Sequence, residues 1–446
     1  MDFNKETIDK FISNSFEIDC IDIRLTQKKD KDPIIYTGPG TIYQDEHGML
    51  QIKLYSKIND KKKELSHQFK QHTPGEIIAD DNYFTLRAID MSGKKWIADN
   101  ICILPDASFP AAGLVIKAKI DEIKNIELNK TWSNTEKNHL SIIIPGQYKI
   151  PCNEKEDLPN GGRRLNRTVF SANEIDFEFR KLDSCLIINA NSKTEKLDKD
   201  TYIKLIEALS IIIGCKVRPI VIKNTQKDKD VIKIRSVDNS FANKKLFPPF
   251  KHSDPTEFES FTSFLEKYLV NIKSPFSDIF GFWHKISRAW QASIENSSLS
   301  IGVAIEGTLK SYFSETGLAD EEILQQAEEA KKLIEDSDLG ERIKGRLFGS
   351  IGLLKNASPK DALNQMVQEK WLNKAMVSEW KELRSKSVHP DKINQGSIVF
   401  PKYINQFNTC LTLFYRLVFI IIKYEGSYMD YSERGWPEKK FKLKNE

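Results

Sequence analysis

From Phe16 to about Ser236 the apolar residues fall at every second position in short runs: Ile21, Ile23 and Leu25; Leu50, Ile52 and Leu54; Phe84, Leu86 and Ala88; Leu114, Ile116, Ala118 and Ile120. A period of two puts one face of each run in a core and the other in water, as in half-buried strands. Thr37-Gly38-Pro39-Gly40, His47-Gly48, Thr73-Pro74-Gly75, Ser92-Gly93, Pro145-Gly146 and Asn160-Gly161-Gly162 stand between the runs as turn signals. The pattern predicts an antiparallel β-rich domain, sandwich or barrel-like, over residues 1–245. One stretch breaks it: Ile203, Leu205, Ile206, Leu209 and Ile213 share a helical face, which Gly214 ends.

Past Phe247-Pro248-Pro249-Phe250 and Ser253-Asp254-Pro255 the period becomes helical and stays so. Helices are predicted near 256–272, 277–296, 299–315, 320–335, 339–355, 359–368, 373–386 and 402–425, an all-α bundle over residues 246–446. Ser358, Pro359 and Asp361 spell a capping box with proline in the first turn. The fold class expected is thus α+β multidomain, β-rich first and helical second. The Lys-rich end, Glu438 to Glu446, reads as a frayed tail. Cys410 to Ile422, interrupted by Arg416, is shorter than the roughly 20 residues a bilayer needs and reads as a buried helix, so no membrane is expected.

Charge narrows the field little. The 446 residues carry 67 basic and 63 acidic side chains, net +4, so any nucleic-acid surface must be local. Six cysteines are scattered without a C-x-x-C pair, which suits reduced thiols and predicts neither structural zinc nor any cofactor. The start, MDFNKETIDKF, lacks the apolar run of a signal peptide, and a cytoplasmic location is expected. Phosphate-loop, zinc-protease, nucleophile-elbow and dinucleotide-turn signatures are missing from the sequence.

One constellation carries chemistry: Arg384-Ser385-Lys386-Ser387-Val388-His389, followed by Pro390. The helix around it has an apolar stripe at Met376, Trp380 and Leu383, which places Arg384 beside that stripe, leaning inward. Pro390 disfavours helical geometry at His389, so the imidazole can turn back toward the guanidinium. A guanidinium that clamps phosphate and an imidazole that moves a proton near neutral pH suffice to cleave RNA, whose own 2′-hydroxyl is the nucleophile. Chance alone supplies about 0.2 such spacings in a chain of this composition, so a capped helix end is the competing reading. Glu306 stands in an apolar helical run, where a carboxylate is costly unless paired. Further contacts to RNA or a partner are expected from Arg163, Arg164 and Arg167 in a basic loop, from Arg288, and from Tyr431 in an aromatic cluster with Tyr424, Tyr428 and Trp436. For each, a solvated surface or a sealed bundle end is the alternative.

An Arg-x4-6-His element late in a helical bundle resembles the HEPN superfamily of metal-independent ribonucleases. Ile301-Gly302-Val303-Ala304-Ile305-Glu306-Gly307, and Tyr424-Glu425-Gly426-Ser427-Tyr428-Met429-Asp430-Tyr431 leading to Gly435-Trp436-Pro437, are similar to the Apea-like branch found in bacterial anti-phage proteins. Tyr36-Thr37-Gly38-Pro39-Gly40 and Lys53-Leu54-Tyr55 resemble the β-rich domain that precedes HEPN in that branch. The resemblance implies that Arg384 binds phosphate and His389 acts as acid and base. Glu306 is expected either to orient Arg384 or a backbone donor behind the site, with Ser385 beside it, or to be purely structural, and the resemblance implies a homodimer that brings two Arg–His pairs to one cleft. RNA, transfer RNA included, is the implied substrate, a phage-derived component the trigger, and abortive infection the outcome. Ser385 departs from the longer polar residue that follows the Arg in many active members. A HEPN module that binds nucleic acid or a partner without cutting is the alternative.

Overall fold

The computed structural model describes residues 5–56, 75–103, 113–128, 138–157, 161–192, 197, 199–227, 229–238, 244–251, 257–314, 316, 321–354, 358–388 and 399–443. Two compact units emerge, Met1–Asp198 with Val217–Ala242 and Lys199–Lys216 with Asn243–Glu446. The chain therefore passes between units three times, and the division is not a single cut after residue 245.

The first unit opens with helix α1 (Lys5–Ile12), whose Phe11 stacks on Phe16 with ring centroids 4.3 Å apart. Strands β1 (Glu17–Gln27), β2 (Ile35–Gln44), β3 (Leu50–Ser56), β4 (Phe84–Asp90), β5 (Lys95–Ile101) and β6 (Leu114–Ile120) pair antiparallel in the order β6-β3-β2-β1-β4-β5. Ile103, two residues past β5, bridges Ala118 of β6 and closes these strands into a ring. Alternation fills its core: Ile23, Leu25, Ile42, Ile52, Leu54 and Phe84 are all buried. After Asp121 the chain continues as β7 (Glu122–Leu128). Then follow β8 (Asn138–Pro145), β9 (Glu154–Asp157), β10 (Arg163–Ala172), β11 (Ile175–Lys181), β12 (Cys185–Ser192), β13 (Val221–Thr225) and β14 (Lys229–Arg235). They extend the sheet as β7-β14-β13-β8-β12-β11-β10-β9.

Two signals read differently in three dimensions. Thr37-Gly38-Pro39-Gly40 is no turn but the middle of β2. A Cβ on Gly38 would lie 1.9 Å from the Tyr55 carbonyl oxygen, and one on Gly40 2.2 Å from that of Lys53. The glycines let the backbone of β3 press close, which a side chain would prevent. The basic stretch Arg163–Arg167 is likewise no loop; it begins β10.

The second unit contains α2 (Lys199–Ile213), α3 (Phe258–Asn271), α4 (Asp278–Ala292), α5 (Ile294–Tyr312), α6 (Glu321–Glu335), α7 (Glu341–Leu354), α8 (Pro359–Gln368), α9 (Lys374–Val388) and α10 (Val399–Ile422). Strands β15 (Gly426–Met429) and β16 (Glu438–Phe441) pair after α10. The Lys-rich end is thus partly a strand, anchored by buried Phe441. The capping box at Ser358 forms with both reciprocal hydrogen bonds. The break between α4 and α5 falls at Ser293, whose hydroxyl accepts from the Asn296 amide, while Ser297 and Ser298 are buried inside α5. Pro401–Ile422 is long and apolar enough to cross a membrane, yet 72% of its 18-residue apolar window is buried inside the protein.

Helix α2 belongs here because its one buried carboxylate finds its donors here. Glu207 accepts from the Tyr268 hydroxyl at 2.9 Å, the Ser277 hydroxyl at 3.1 Å and the Phe276 amide at 2.6 Å. Lys204 donates to the Leu269 and Ile272 carbonyls at 3.0 and 3.2 Å, satisfying the C-terminus of α3. Gly214 ends α2 at φ +80°, and a Cβ there would lie 2.2 Å from the Leu246 carbonyl oxygen. The Pro-rich segment that marks the change of period is packed too. Leu246 and Phe250 are buried, and the Phe247 carbonyl accepts from the Tyr415 hydroxyl at 2.6 Å.

Candidate functional site

The stripe on α9 packs inward as its spacing demands: Met376, Val377, Trp380 and Leu383 are buried. Arg384 follows at the edge of the stripe, its side chain 48% exposed, so it lies at the rim and not in the core. Helix α5 faces α9 through the motif that begins at Ile301. Ile301, Ala304 and Ile305 are buried, the Gly302 carbonyl accepts from Trp380 Nε1 at 3.3 Å, and a Cβ on Gly302 would sit 3.9 Å from the Arg384 Cα. Gly307 is pressed against the Phe282 ring of α4.

This packing delivers Glu306 to Arg384. Arg384 Nη2 lies 2.7 Å from Glu306 Oε2, while Glu306 Oε1 is 2.8 Å from Lys310 Nζ. The carboxylate, 18% exposed, is shared by two cations, one from each helix of the pair. The guanidinium carbon lies 5.8 Å from the Trp380 ring centroid. One carboxylate between two cations leaves one positive charge in excess, and the exposed half of Arg384 presents it to solvent. Ser385, next along, is exposed. His389 lies outside the described residues. Lys310 was not singled out by sequence, although a Glu four residues before a Lys on a helix is a recognisable pair.

The remaining candidates lie elsewhere. Arg163, Arg164 and Arg167 belong to the first unit, and each is paired: Arg163 with Asp157 at 3.0 Å, Arg164 with Asp183 at 2.6 Å, and Arg167 with Glu178 at 2.7 Å. Arg180 pairs with Glu156 beside them. These strands form a ladder of opposite charges whose excess for phosphate is small. Arg288 is exposed on α4.

Tyr431 is buried and seals the bundle end. Its ring stacks on Phe247 with centroids 5.3 Å apart, its hydroxyl donates to the Pro248 carbonyl, and its amide donates to Thr412 Oγ1 at 3.0 Å. Beneath it Asp430 is buried among Lys439 at 3.0 Å, Ser432 and Arg416. Burial works against the Asp430 carboxylate, but hydrogen bonds from Ser432 and Lys439 outweigh it and hold the carboxyl below its ordinary pKa. Arg416 also donates to the Tyr428 hydroxyl and, at 3.2 Å, to the Trp371 carbonyl. These groups are consumed in holding β15 and β16 on the bundle.

Among the described residues no group of three or more His, Cys, Asp or Glu side chains is placed to hold a metal ion. No family model, no curated protein and no solved structure matches this chain.

Proposed function

We propose that the helical unit is a metal-independent endoribonuclease of the HEPN type, acting at Arg384 and His389. The reading is supported by one observation above all: Arg384 is half exposed, oriented by Glu306, and backed by Lys310 so that positive charge is left over. In the reaction, Arg384 binds the scissile phosphate. His389 accepts the proton of the adjacent 2′-hydroxyl as its oxygen attacks phosphorus, and the 5′-oxygen leaves and takes up a proton. The products are a 2′,3′-cyclic phosphate and a 5′-hydroxyl. Cytoplasmic RNA, transfer RNA among it, is the proposed substrate, with a second copy of the chain completing the cleft. The strand-rich unit restrains or senses, answering to a phage-derived trigger in anti-phage defence.

The test is cleavage of total bacterial RNA in EDTA by the full chain, Arg384→Ala and His389→Ala. Loss in both variants with cyclic-phosphate ends in the native digest supports the reading. Undiminished cleavage by either variant overturns it.

A second reading has its own observation. The Arg384–Glu306 pair spans α5 and α9, so its guanidinium can serve as a clamp between helices in a module that binds without cutting. Arg384→Ala would then loosen α9 and leave RNA intact with every protein.

A further inference from the structure

Strands β2, β3 and β6 are neighbours in the first unit, and alternation turns Thr41 and Tyr43, then Gln51, Lys53 and Tyr55, then Val115, Lys117 and Lys119 away from its core. The register gathers these positions. Lys53 pairs with Lys117 across β3 and β6 and Gln51 with Lys119, while on the other side Thr41 pairs with Lys53 and Tyr43 with Gln51. Lys53 thus has one lysine directly opposite and another on the diagonal, with Cβ atoms about 5 and 7 Å away. Its ammonium lies 5.2 Å from the centroid of the Tyr55 ring. Tyr55 is 48% exposed, and Lys117 and Lys119 are exposed beside it.

The arrangement works against folding, because like charges directly opposite on a sheet repel. Among the described residues none of the three lysines is ion-paired, whereas Arg163, Arg164 and Arg167 each have an acid. The acids on this face stand beyond β2, where Glu17 lies opposite Tyr43 and Asp19 opposite Thr41, and Asp19 accepts from the Thr41 hydroxyl at 3.3 Å. Asp45 accepts from the Gln51 amide at 2.8 Å. Guarding of a sheet edge accounts for lysines on β6, the end strand of the pairing order, but not for Lys53 on β3, which is paired on both sides. An anionic ligand accounts for all three.

The tyrosines specify the anion. Tyr43 and Tyr55 stand at the two ends of the lysine group, about 14 Å apart by strand geometry. An unstacked base lies flat on such a ring, and the phosphates that join two stacked bases pass over the lysines between them. A duplex hides the faces of its bases, and an acidic peptide uses the lysines but leaves the tyrosines idle. We propose that this outer face of β2, β3 and β6 binds single-stranded nucleic acid, with phosphates on Lys53, Lys117 and Lys119 and bases on Tyr43 and Tyr55. Binding here stands whether or not RNA is cut at Arg384.

The test measures binding of fluorescent oligo(U), oligo(dT) of the same length and an RNA duplex to the full chain carrying Arg384→Ala, so that cleavage does not intervene. Binding of either single strand supports the proposal, and the preferred sugar names the source. Adding Lys117→Gln with Lys119→Gln is expected to lower the slope of log affinity against log salt by about 1.4, two single-strand phosphate contacts at about 0.7 each. The same pair is expected to raise the urea midpoint, since the repulsion is relieved, which also shows that the variant is folded. Tyr55→Ala is expected to weaken oligo(U) binding about 10-fold, and Tyr55→Phe to retain it. A thiouridine-bearing oligonucleotide is expected to crosslink on irradiation to the peptide that contains Tyr55. An unchanged salt slope in the lysine variant, Tyr55→Ala binding as tightly as its parent, or a duplex bound as tightly as the single strands overturns the proposal. So does polyglutamate that displaces oligo(U) as well as unlabelled oligo(U) does, which would make the face an acidic-protein surface.

Discussion

The Glu207 carboxylate accepts the Tyr268 hydroxyl at 2.9 Å across 61 residues of sequence. That bond, with those from Ser277 and Phe276, fastens α2 to the unit it joins, although the strands on either side of α2 in sequence belong to the other unit. A fragment beginning at residue 243 therefore lacks a helix that α3 and α4 pack against. It is expected to be insoluble, or to show less helical circular dichroism per residue than a fragment beginning at residue 199. Equal helicity and a cooperative melt for both would show that α2 is dispensable.

Burial raises the Glu207 carboxyl above its ordinary pKa of 4.5, against the pull of hydrogen bonds from Tyr268, Phe276 and Ser277. A raised folded value means the group favours the folded state most when protonated, below the unfolded pKa, and that this contribution is lost as pH rises through the folded value. Glu207→Gln keeps an acceptor and removes the titration. Its stability relative to the native chain is expected to increase between about pH 4 and pH 7 in urea denaturation, and a difference constant over that window would count against the account.

Asp430 has the opposite sign. Its lowered value contributes stability above the ordinary carboxylate pKa, lost as pH falls through the folded value. Asp430→Ala leaves Lys439 and Arg416 without their shared acceptor and is expected to cost about 2–3 kcal/mol, read as a lower denaturation midpoint at neutral pH. The difference from the native chain should shrink in acid.

Arg384→Ala is expected to change stability by less than about 1 kcal/mol, because the side chain is half solvated and Glu306 keeps Lys310. RNA cleavage is expected to disappear at the same time. Glu306→Gln leaves the guanidinium in place but untethered, so its expected signature is a lower kcat with KM little changed.

Gly349 lies in the middle of α7 with nothing within 4 Å of where a Cβ would go. Gly349→Ala is expected to raise stability by about 1 kcal/mol through helix propensity alone, measured by chemical denaturation. A loss of stability would mean that the space is filled in solution.

Much of the helical unit is legible in sequence because its signals are local. Ser358, Pro359 and Asp361 state a helix start by themselves, and a carboxylate at Glu306 amid apolar neighbours demands a partner, which Arg384 supplies. What escaped depends on distant backbone. Gly38 and Gly40 have the composition of a turn, and only the approach of Tyr55 and Lys53 explains them as strand residues. Arg163, Arg164 and Arg167 form a basic cluster in one dimension, and the acids that neutralise them come from neighbouring strands and from the turn before β12. Lys439 and Phe441 look like tail residues until β15 and buried Asp430 are beside them.

Three passages between units also set an order of events during synthesis. When α2 leaves the ribosome, the helices that bury its face have not been made, and β13 and β14, which link β7 to β8 in the sheet, are also still to come. At about 5–20 residues per second the strand edges of β7 and β8 wait roughly 1–4 s until Arg235 is made, and the apolar face of α2 waits roughly 4–16 s until Ala292 is made. The strand-rich unit can finish once β14 is made, whereas the helical unit also needs α10, far later in the chain. The strand-rich unit can thus mature while the helical unit is still being made, and chaperone dependence should be greatest for nascent chains halted between α2 and α3.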